Sequence, residues 1–372
     1  MFNPCKSVAK KKRGHMKDTF RILVINPGST TTKIALFDND KYVFNESIYH
    51  SKEELKKFKH ISEQHSFRTS IIEDLLSQHK INLDSLNAVV GRGGLLRPIP
   101  SGTYKVNTTM LKELNKAKRG EHASNLGAII SYDIASKVNI PAYIVDPVVV
   151  DELDDIARYT GIKELKRRSI LHALNQKAVA RKAAEKLGKE YTDLNFIVAH
   201  MGGGITVGSH NKGRIIDVND GLSGEGPFTP ERSGGLPAST FMDLCYSGKF
   251  TRDEMKKKLI GQGGMIAYLG TSDMCSVEER VAHGDKEAEK YYKAMAYQVS
   301  KEIGLSATVL KGEVDGIIVT GGLAYDKIFL SYIKERVSWI ARIFIYPGEM
   351  EMEALAAGAL RVLKGEEQCK EY

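Results

Sequence analysis

The chain has few cysteines and no close pair of them. Cys5, Cys245, Cys275 and Cys369 are scattered through 372 residues without C-x-x-C spacing. That argues against a disulfide framework or a cysteine zinc site and for free thiols in a reducing compartment, the cytoplasm. Uninterrupted apolar runs fall far short of the roughly 18 residues a membrane helix needs, and no apolar segment of the secretory kind follows the basic N-terminus. Neither a membrane partner nor export is expected. Two nucleotide signatures are missing as well: no G-x-x-x-x-G-K-[ST] occurs, and the glycines of GGGITVG do not fit G-x-G-x-x-G.

Residues 1–17 contain no acid but five Lys and one Arg, against a formal net charge of +8 for the whole chain. Subtracting those six charges from +8 leaves +2, a nearly balanced remainder that gives no ground for a nucleic-acid partner. The stretch MFNPCKSVAKKKRGHM has no periodicity and is expected to be a disordered basic tail, a misassigned start ahead of Met16, or an expression remnant. A hydrophobic share of 42% belongs to a globular chain with ample core. At about 150 residues per domain, the length suggests two domains.

What the chain does have is an unusual turn. Residues 22–37, ILVINPGSTTTKIALF, set Asn26, Gly28, four consecutive hydroxyls that include Ser29 and Thr30, and Lys33 between two apolar strands. A hairpin needs only two to five turn residues, so this connection is longer and more polar than folding demands. Its N–H groups and hydroxyls suit an anion, phosphate first among them.

Beyond it come helical TSIIEDLLSQHK, a short strand NAVVGRGG, helical NLGAIISYDIASKV, a strand AYIVD ending at Asp146, and helical LHALNQKAVARKAAEKLG. Strands alternating with helices indicate an α/β architecture. About 170 residues after the first turn the pattern recurs as NFIVAHMGGGITVGSHNKGRIIDV, and the apolar strand DGIIVTGGLA follows later. A repeat of this length points to duplicated domains facing one cleft. Asn26–Lys33 and Gly202–Thr206 would grip a polyphosphate from two sides, with Gly321 and Gly322 leaving room for a nucleoside. ATP is the ligand these three turns suggest together.

These residues carry a resemblance. INPGSTTTK resembles N-x-G-S-[ST]-[ST]-x-K and VAHMGGGITVG resembles H-x-G-x-G plus a hydroxyl residue, two signatures of the acetate and butyrate kinase family. The resemblance runs from about Phe20 to about Leu363. It implies two duplicated ribonuclease-H-like domains with a nucleotide cleft between them, as in sugar kinases, Hsp70 chaperones and actin. The implied division is 18–147 plus 348–372 for the N-terminal domain and 148–347 for the C-terminal one. Where acetate kinases tend to carry a histidine-flanked arginine and an F-H-G-T-S-H run, this chain has VVGRGGLLRPIPSG and ILHALNQKAVAR. With YPGEMEMEALAAGALRVL at its close, it is more similar to the butyrate kinase branch.

A carboxylate is already ionised at neutral pH and needs no general base. It needs in-line positioning and positive groups around the phosphoryl oxygens, because donor and acceptor repel. Arg92 and Arg232, each in a glycine-lined loop, match the family's active-site arginines, one for the substrate carboxylate and one for the transferring phosphoryl. His172 matches its active-site histidine, a hydrogen-bond or charge stabiliser of the phosphoryl. His200 either touches phosphate or shapes the Gly202–Gly203–Gly204 turn leading to Thr206. Asp146, at a strand end where ligands gather, is expected to hold Mg2+ through water. Glu349 is either a second metal ligand or a helix-start acid, with Glu353 as fallback. Arg97 and Arg168 are unassigned.

The expected reaction is butyrate + ATP to butyryl phosphate + ADP, reversible, in a cytoplasmic homodimer or higher homo-oligomer whose contact includes the apolar FLSYIKERVSWIARIFIY. Leu95, Leu96, Pro98, Ile99, Val148 and Val149 are expected to wall the alkyl pocket. Kinases of acetate, propionate or branched acids, a non-kinase ATP-binding module of the same superfamily and, more remotely, a sugar kinase are the alternatives.

Overall fold

The computed structural model describes residues 19–222 and 224–372; the basic tail expected at 1–17 lies outside the described residues. One sheet contains β1 (Arg21–Pro27), β2 (Thr31–Asp38), β3 (Lys41–Tyr49), β4 (Ala88–Arg92), β5 (Thr103–Lys105) and β6 (Ala142–Val145), in the order β3-β2-β1-β4-β6-β5. The other contains β7 (Asn195–Met201), β8 (Ile205–Asn211), β9 (Arg214–Val218), β10 (Gly316–Gly321) and β11 (Ile343–Pro347), in the order β11-β10-β7-β8-β9. Each sheet opens with an antiparallel meander and continues with two parallel strands. Apart from β5, the two orders are the same, so the fold is a duplicated α/β unit. The two apolar strands around the first turn belong to a three-stranded meander, because KYVFNESIY pairs with β2 along its length.

Strands β1, β4, β7 and β10 are buried along almost their whole length, which explains their continuous apolar runs. Alternate residues of the first sheet serve two cores. Leu23, Ile25, Val89 and Ile144 pack with helix Asn125–Lys137, and Ile22, Val24, Val90 and Val145 with helix Glu351–Lys364. The second sheet repeats the arrangement, with helix Lys286–Val309 against Ile197 and Val319 and helix Ala173–Lys186 against Phe196 and Ile318. Helices Glu351–Lys364 and Ala173–Lys186 also pack on each other, so they form the seam between the sheets.

The chain crosses that seam at 347–351. Strand β11 ends at Pro347, Gly348 exchanges two backbone hydrogen bonds with Gly321 on the second sheet, and the next helix lies on the first. Two acidic residues of this crossover, Glu349 and Glu351, therefore stand between the two repeated turns. The apolar segment 329–346 is largely core: Phe329, Leu330, Ile333, Val337 and Phe344 are buried, which leaves Trp339 and Ile345 outside.

Candidate active site

The first cluster joins three distant parts of the sequence. Asn26, the penultimate residue of β1, donates through Nδ2 to Glu351 Oε2 at 2.7 Å, and Arg92, the last residue of β4, lies 2.8 Å from Glu351 Oε1. Parallel pairing of β1 with β4 brings both strand ends to one edge. Glu351 was passed over in the sequence, which offered Glu349 and Glu353 on either side of it. Gly348, with φ 84°, and the start of the helix set the register, so Glu351 rather than Glu353 turns to Arg92. Glu353 instead faces the Tyr42 hydroxyl. Glu349 is half-exposed at 3.9 Å from His200 Nε2, and burial followed by repulsion from Glu351 raises its pKa against the pull of Arg92 and Lys33.

The second cluster is a histidine pair. His172, in the N-cap position of helix Ala173–Lys186, stacks on His200 of β7 with centroids 3.8 Å apart and planes 9° from parallel. His172 Nδ1 lies 2.9 Å from Thr206 Oγ1, and His200 Nδ1 lies 3.1 Å from Asn175 Oδ1. Burial, then His200, Arg92 and Arg232, hold the His172 pKa well below its usual value; burial, then Arg92, brings His200 to about 3. Both rings are neutral at pH 7. A neutral His172 can donate or accept a hydrogen bond at each ring nitrogen according to its tautomer. Held by Asn175, His200 fits the loop-shaping role, with its Nε2 still facing the Glu349 side.

The third component is Arg232, whose guanidinium lies on the second turn. A Cβ on Gly204 would come within 2.2 Å of Arg232 Nη1, so glycine is required there. Nη1 donates to the Gly221 carbonyl and Nη2 stands 3.7 Å from Glu231, while the buried Nε has no partner. Asn175 Nδ2 is likewise buried without one. Two orphaned donors beside two arginines make a site ready for an anion.

Arg92, Arg232, His172 and Thr206 meet at one cavity of about 170 Å3. Leu95, Val148, Ile170, Leu171 and Leu222 are its aliphatic lining. Of the expected alkyl walls only Leu95 and Val148 are there. Leu96, Ile99 and Val149 are buried in the core under the first sheet, and Pro98 is exposed. Nearness in sequence to Arg92 and Asp146 was the reason for naming them, and the chain turns inward after one residue. Ile170, Leu222 and His122 arrive from elsewhere in the chain.

A second cavity of about 330 Å3 borders the second turn, lined by Gly202, Gly203, Asp273, Cys275, Gly322 and Asp326 among others. Gly321, with φ 88°, packs so tightly on Met201 that a Cβ would meet its carbonyl at 2.3 Å. The first turn presents Ser29, Thr30 and Lys33 outward, whereas Thr32 is turned in, bonded to His50 and Arg68.

Asp146 makes its direct hydrogen bonds at the end of β6 to the neighbouring loop. Its Oδ1 accepts from the Ser101 hydroxyl at 2.6 Å and the Gly102 N–H at 2.8 Å, and Oδ2 lies 3.9 Å from Arg181. It borders the small space beside Arg92, His172 and Glu351, but its hydrogen bonds run to the 101–102 loop. The residue's positive φ of 39° ahead of Pro147 turns the side chain that way. Arg97 lies over the Tyr372 ring and Arg168 pairs with Asp220, both away from the cavity.

Residues 154–333 match the model of the acetokinase family. That segment, just under half of the chain, holds His172, His200, the second turn, Arg232 and Gly321–Gly322, while Asn26, Arg92 and Glu351 lie outside it. Among solved structures, the acetate kinase of Porphyromonas gingivalis is similar at TM-score 0.75 and 15% identity, covering 93% of this chain and 100% of that one. A propionate kinase from Francisella tularensis subsp. tularensis SCHU S4 is similar at 0.72 and 18%, covering 91% and 98%, and the acetate kinase from Entamoeba histolytica at 0.73 and 16%, with the same coverage. At such identities the likeness establishes the shared two-domain α/β fold.

Proposed function

We propose that this protein transfers the γ-phosphoryl group of ATP to a short-chain fatty acid, reversibly, with butyrate preferred. The observation that carries the reading is the 170 Å3 cavity, whose lining combines two arginines and two imidazoles with five aliphatic residues. An anionic head with a short alkyl tail is the chemistry that suits such a mixed lining. Among the described residues lining it there is no Asp or Glu. A hydroxyl acceptor would need such a base, and a carboxylate does not, which favours the fatty acid over a sugar.

In this reading ATP lies between two domains, 18–147 with 348–372 and 148–347. Its nucleoside occupies the cavity at Gly322, and its phosphates run between the Asn26–Lys33 and Gly202–Thr206 turns. Arg92 orients the carboxylate. Arg232, through its guanidinium, and His172, as a neutral donor, meet the charge that grows on the phosphoryl oxygens. Glu351, with Glu349 close by, is the carboxylate suited to Mg2+, and Asp146 acts from behind. Among the described residues no three ligating side chains gather into a cage, and Mg2+ bound with phosphate oxygens requires only one or two carboxylates. Bound there, Mg2+ would neutralise phosphate charge.

A homodimer belongs to the proposal. Trp339 is exposed, and helix Ala238–Tyr246 has no buried residue while presenting Met242 and Tyr246; light scattering of the eluted protein that gives a monomer mass would remove this part.

The function is tested by trapping acyl phosphate with hydroxylamine across acetate, propionate, butyrate and isobutyrate, with sugars as the contrasting acceptors. Two methylenes at roughly 0.8 kcal/mol each give butyrate a little over tenfold in kcat/KM over acetate. Acetate equal to butyrate would reject the chain-length preference alone. Phosphorylated sugar without acyl phosphate would reject the whole reading.

A further inference from the structure

Behind His172 a line of buried polar side chains runs away from the cleft. Tyr191 Oη lies 2.7 Å from His210 Nδ1, and His210 Nε2 lies 2.9 Å from Gln176 Oε1. Gln176 Nε2 lies 3.1 Å from the Thr206 carbonyl and 2.9 Å from Thr206 Oγ1, which is in turn 2.9 Å from His172 Nδ1. Gln176, Thr206 and His210 are fully buried and Tyr191 nearly so. The spacing is built in: His172 and Gln176 are one helical turn apart, and Thr206, Gly208 and His210 share one face of β8. Gly208 makes room, since a Cβ there would stand 2.5 Å from Gln176 Oε1.

The directions of these bonds follow from one carbonyl and from the cost of a buried, unpartnered hydrogen. The Thr206 carbonyl can only accept, so it fixes the Gln176 amide with its NH2 toward Thr206 and its oxygen toward His210. His210 Nε2 must therefore carry a hydrogen. Burial, then Lys177 and Arg181, keep that ring neutral, which leaves Nδ1 bare to accept from the Tyr191 hydroxyl. Thr206 Oγ1 accepts from Gln176; were it also to accept from His172, its own hydrogen would be buried without a partner, so that hydrogen goes to His172 Nδ1. A neutral His172 then holds its own hydrogen on Nε2.

We propose that this buried chain sets the tautomer of His172, with Gln176 and His210 acting as positioning residues that aim its Nε2–H at the transferring phosphoryl group. The rate consequence rests on the function proposed above; the tautomer does not. The shape of the chain explains why an imidazole with no charge can still be a directed donor.

The test is 15N NMR of histidine-labelled full-length protein at pH 7.5, joined to steady-state kinetics. Wild-type His172 is expected with hydrogen on Nε2 and a bare Nδ1. Gln176→Met, close in shape, frees the Thr206 hydroxyl, so the His172 signals become a tautomer average and kcat falls about three- to tenfold with the KM for ATP within about twofold. Tyr191→Phe, at the far end, moves the same signals less. A wild-type His172 with its hydrogen on Nδ1, which no variant is needed to see, would overturn the proposal, as would a Gln176→Met protein whose His172 stays wholly Nε2–H. If the signals behave as expected in a protein that makes no acyl phosphate, the relay stands and the functional reading falls.

Discussion

Two arginines serve the two equivalent turns in opposite ways. Arg68, on helix His65–Gln78, is fully buried beneath the first turn and donates to the carbonyls of Gly28, Ser29 and Thr31, to the Thr32 hydroxyl and to Gln64. Those partners are neutral oxygens, and burial lowers its pKa to about 10. Its capacity is used up on the chain. Arg232 lies on the second turn and lines the cavity; its side chain gives one bond, to the Gly221 carbonyl, its buried Nε has no partner, and Nη2 stands 3.7 Å from Glu231. The Gly203 carbonyl beside it is held by the Thr229 hydroxyl instead. The duplicated fold thus supplies two similar platforms, one braced from behind by an arginine whose N–H groups are spent, the other keeping an arginine donor for a ligand.

The largest effect should come from the arginines that face the cavity. Arg232→Ala and Arg92→Ala are expected to lower kcat for acyl phosphate formation by roughly two to four powers of ten, the scale of losing a charge-stabilising donor, with the KM for ATP much less affected. Steady-state assays with butyrate check this, and near-normal turnover in both variants would dissolve the assigned site.

Arg68→Met turns the comparison round. The carbonyls of the first turn lose their buried donor, at a cost of about 2–4 kcal/mol of stability read from denaturant midpoints. The corresponding loss in Arg232→Ala should be smaller, because Arg232 makes fewer bonds. Equal destabilisation would mean that both arginines are braces.

Acid separates the turns more gently. On the second sheet and the helix packed on it His172, His200 and His210 have lowered pKa values, while the first unit has two such histidines, His50 and His122. The unfolded chain takes up protons below about 6.5 that these folded histidines refuse, so stability rises with pH and is lost as pH falls below that value. For His200, held at about 3, the slope is about 1.4 kcal/mol per pH unit through that window. Tm should fall from pH 7.5 to 5.5, with the second sheet losing amide-exchange protection first. Uniform loss across both sheets would contradict the contrast.

The sequence by itself determined the duplicated plan. Continuous apolar runs marked β1, β4, β7 and β10, the hydroxyl- and glycine-rich breaks marked the turns, and the family resemblance picked out Arg92 and Arg232, each in a glycine-lined loop, and His172 at a helix start. Local pattern carries that much because strand burial and turn composition are short-range properties. Packing alone decided the rest. Glu351 was chosen over Glu349 and Glu353 by the angle at which one helix starts after Gly348, and Asp146 was turned toward Ser101 by its own backbone. The aliphatic lining of the cavity mixes residues 95, 148, 170, 171 and 222, which no window of sequence joins. The tautomer of His172 depends on Gln176 and His210, residues that read as an ordinary helix and an ordinary strand until their faces meet across Gly208. Such bonds are properties of two surfaces in register, and a linear pattern specifies each surface without saying what it will touch.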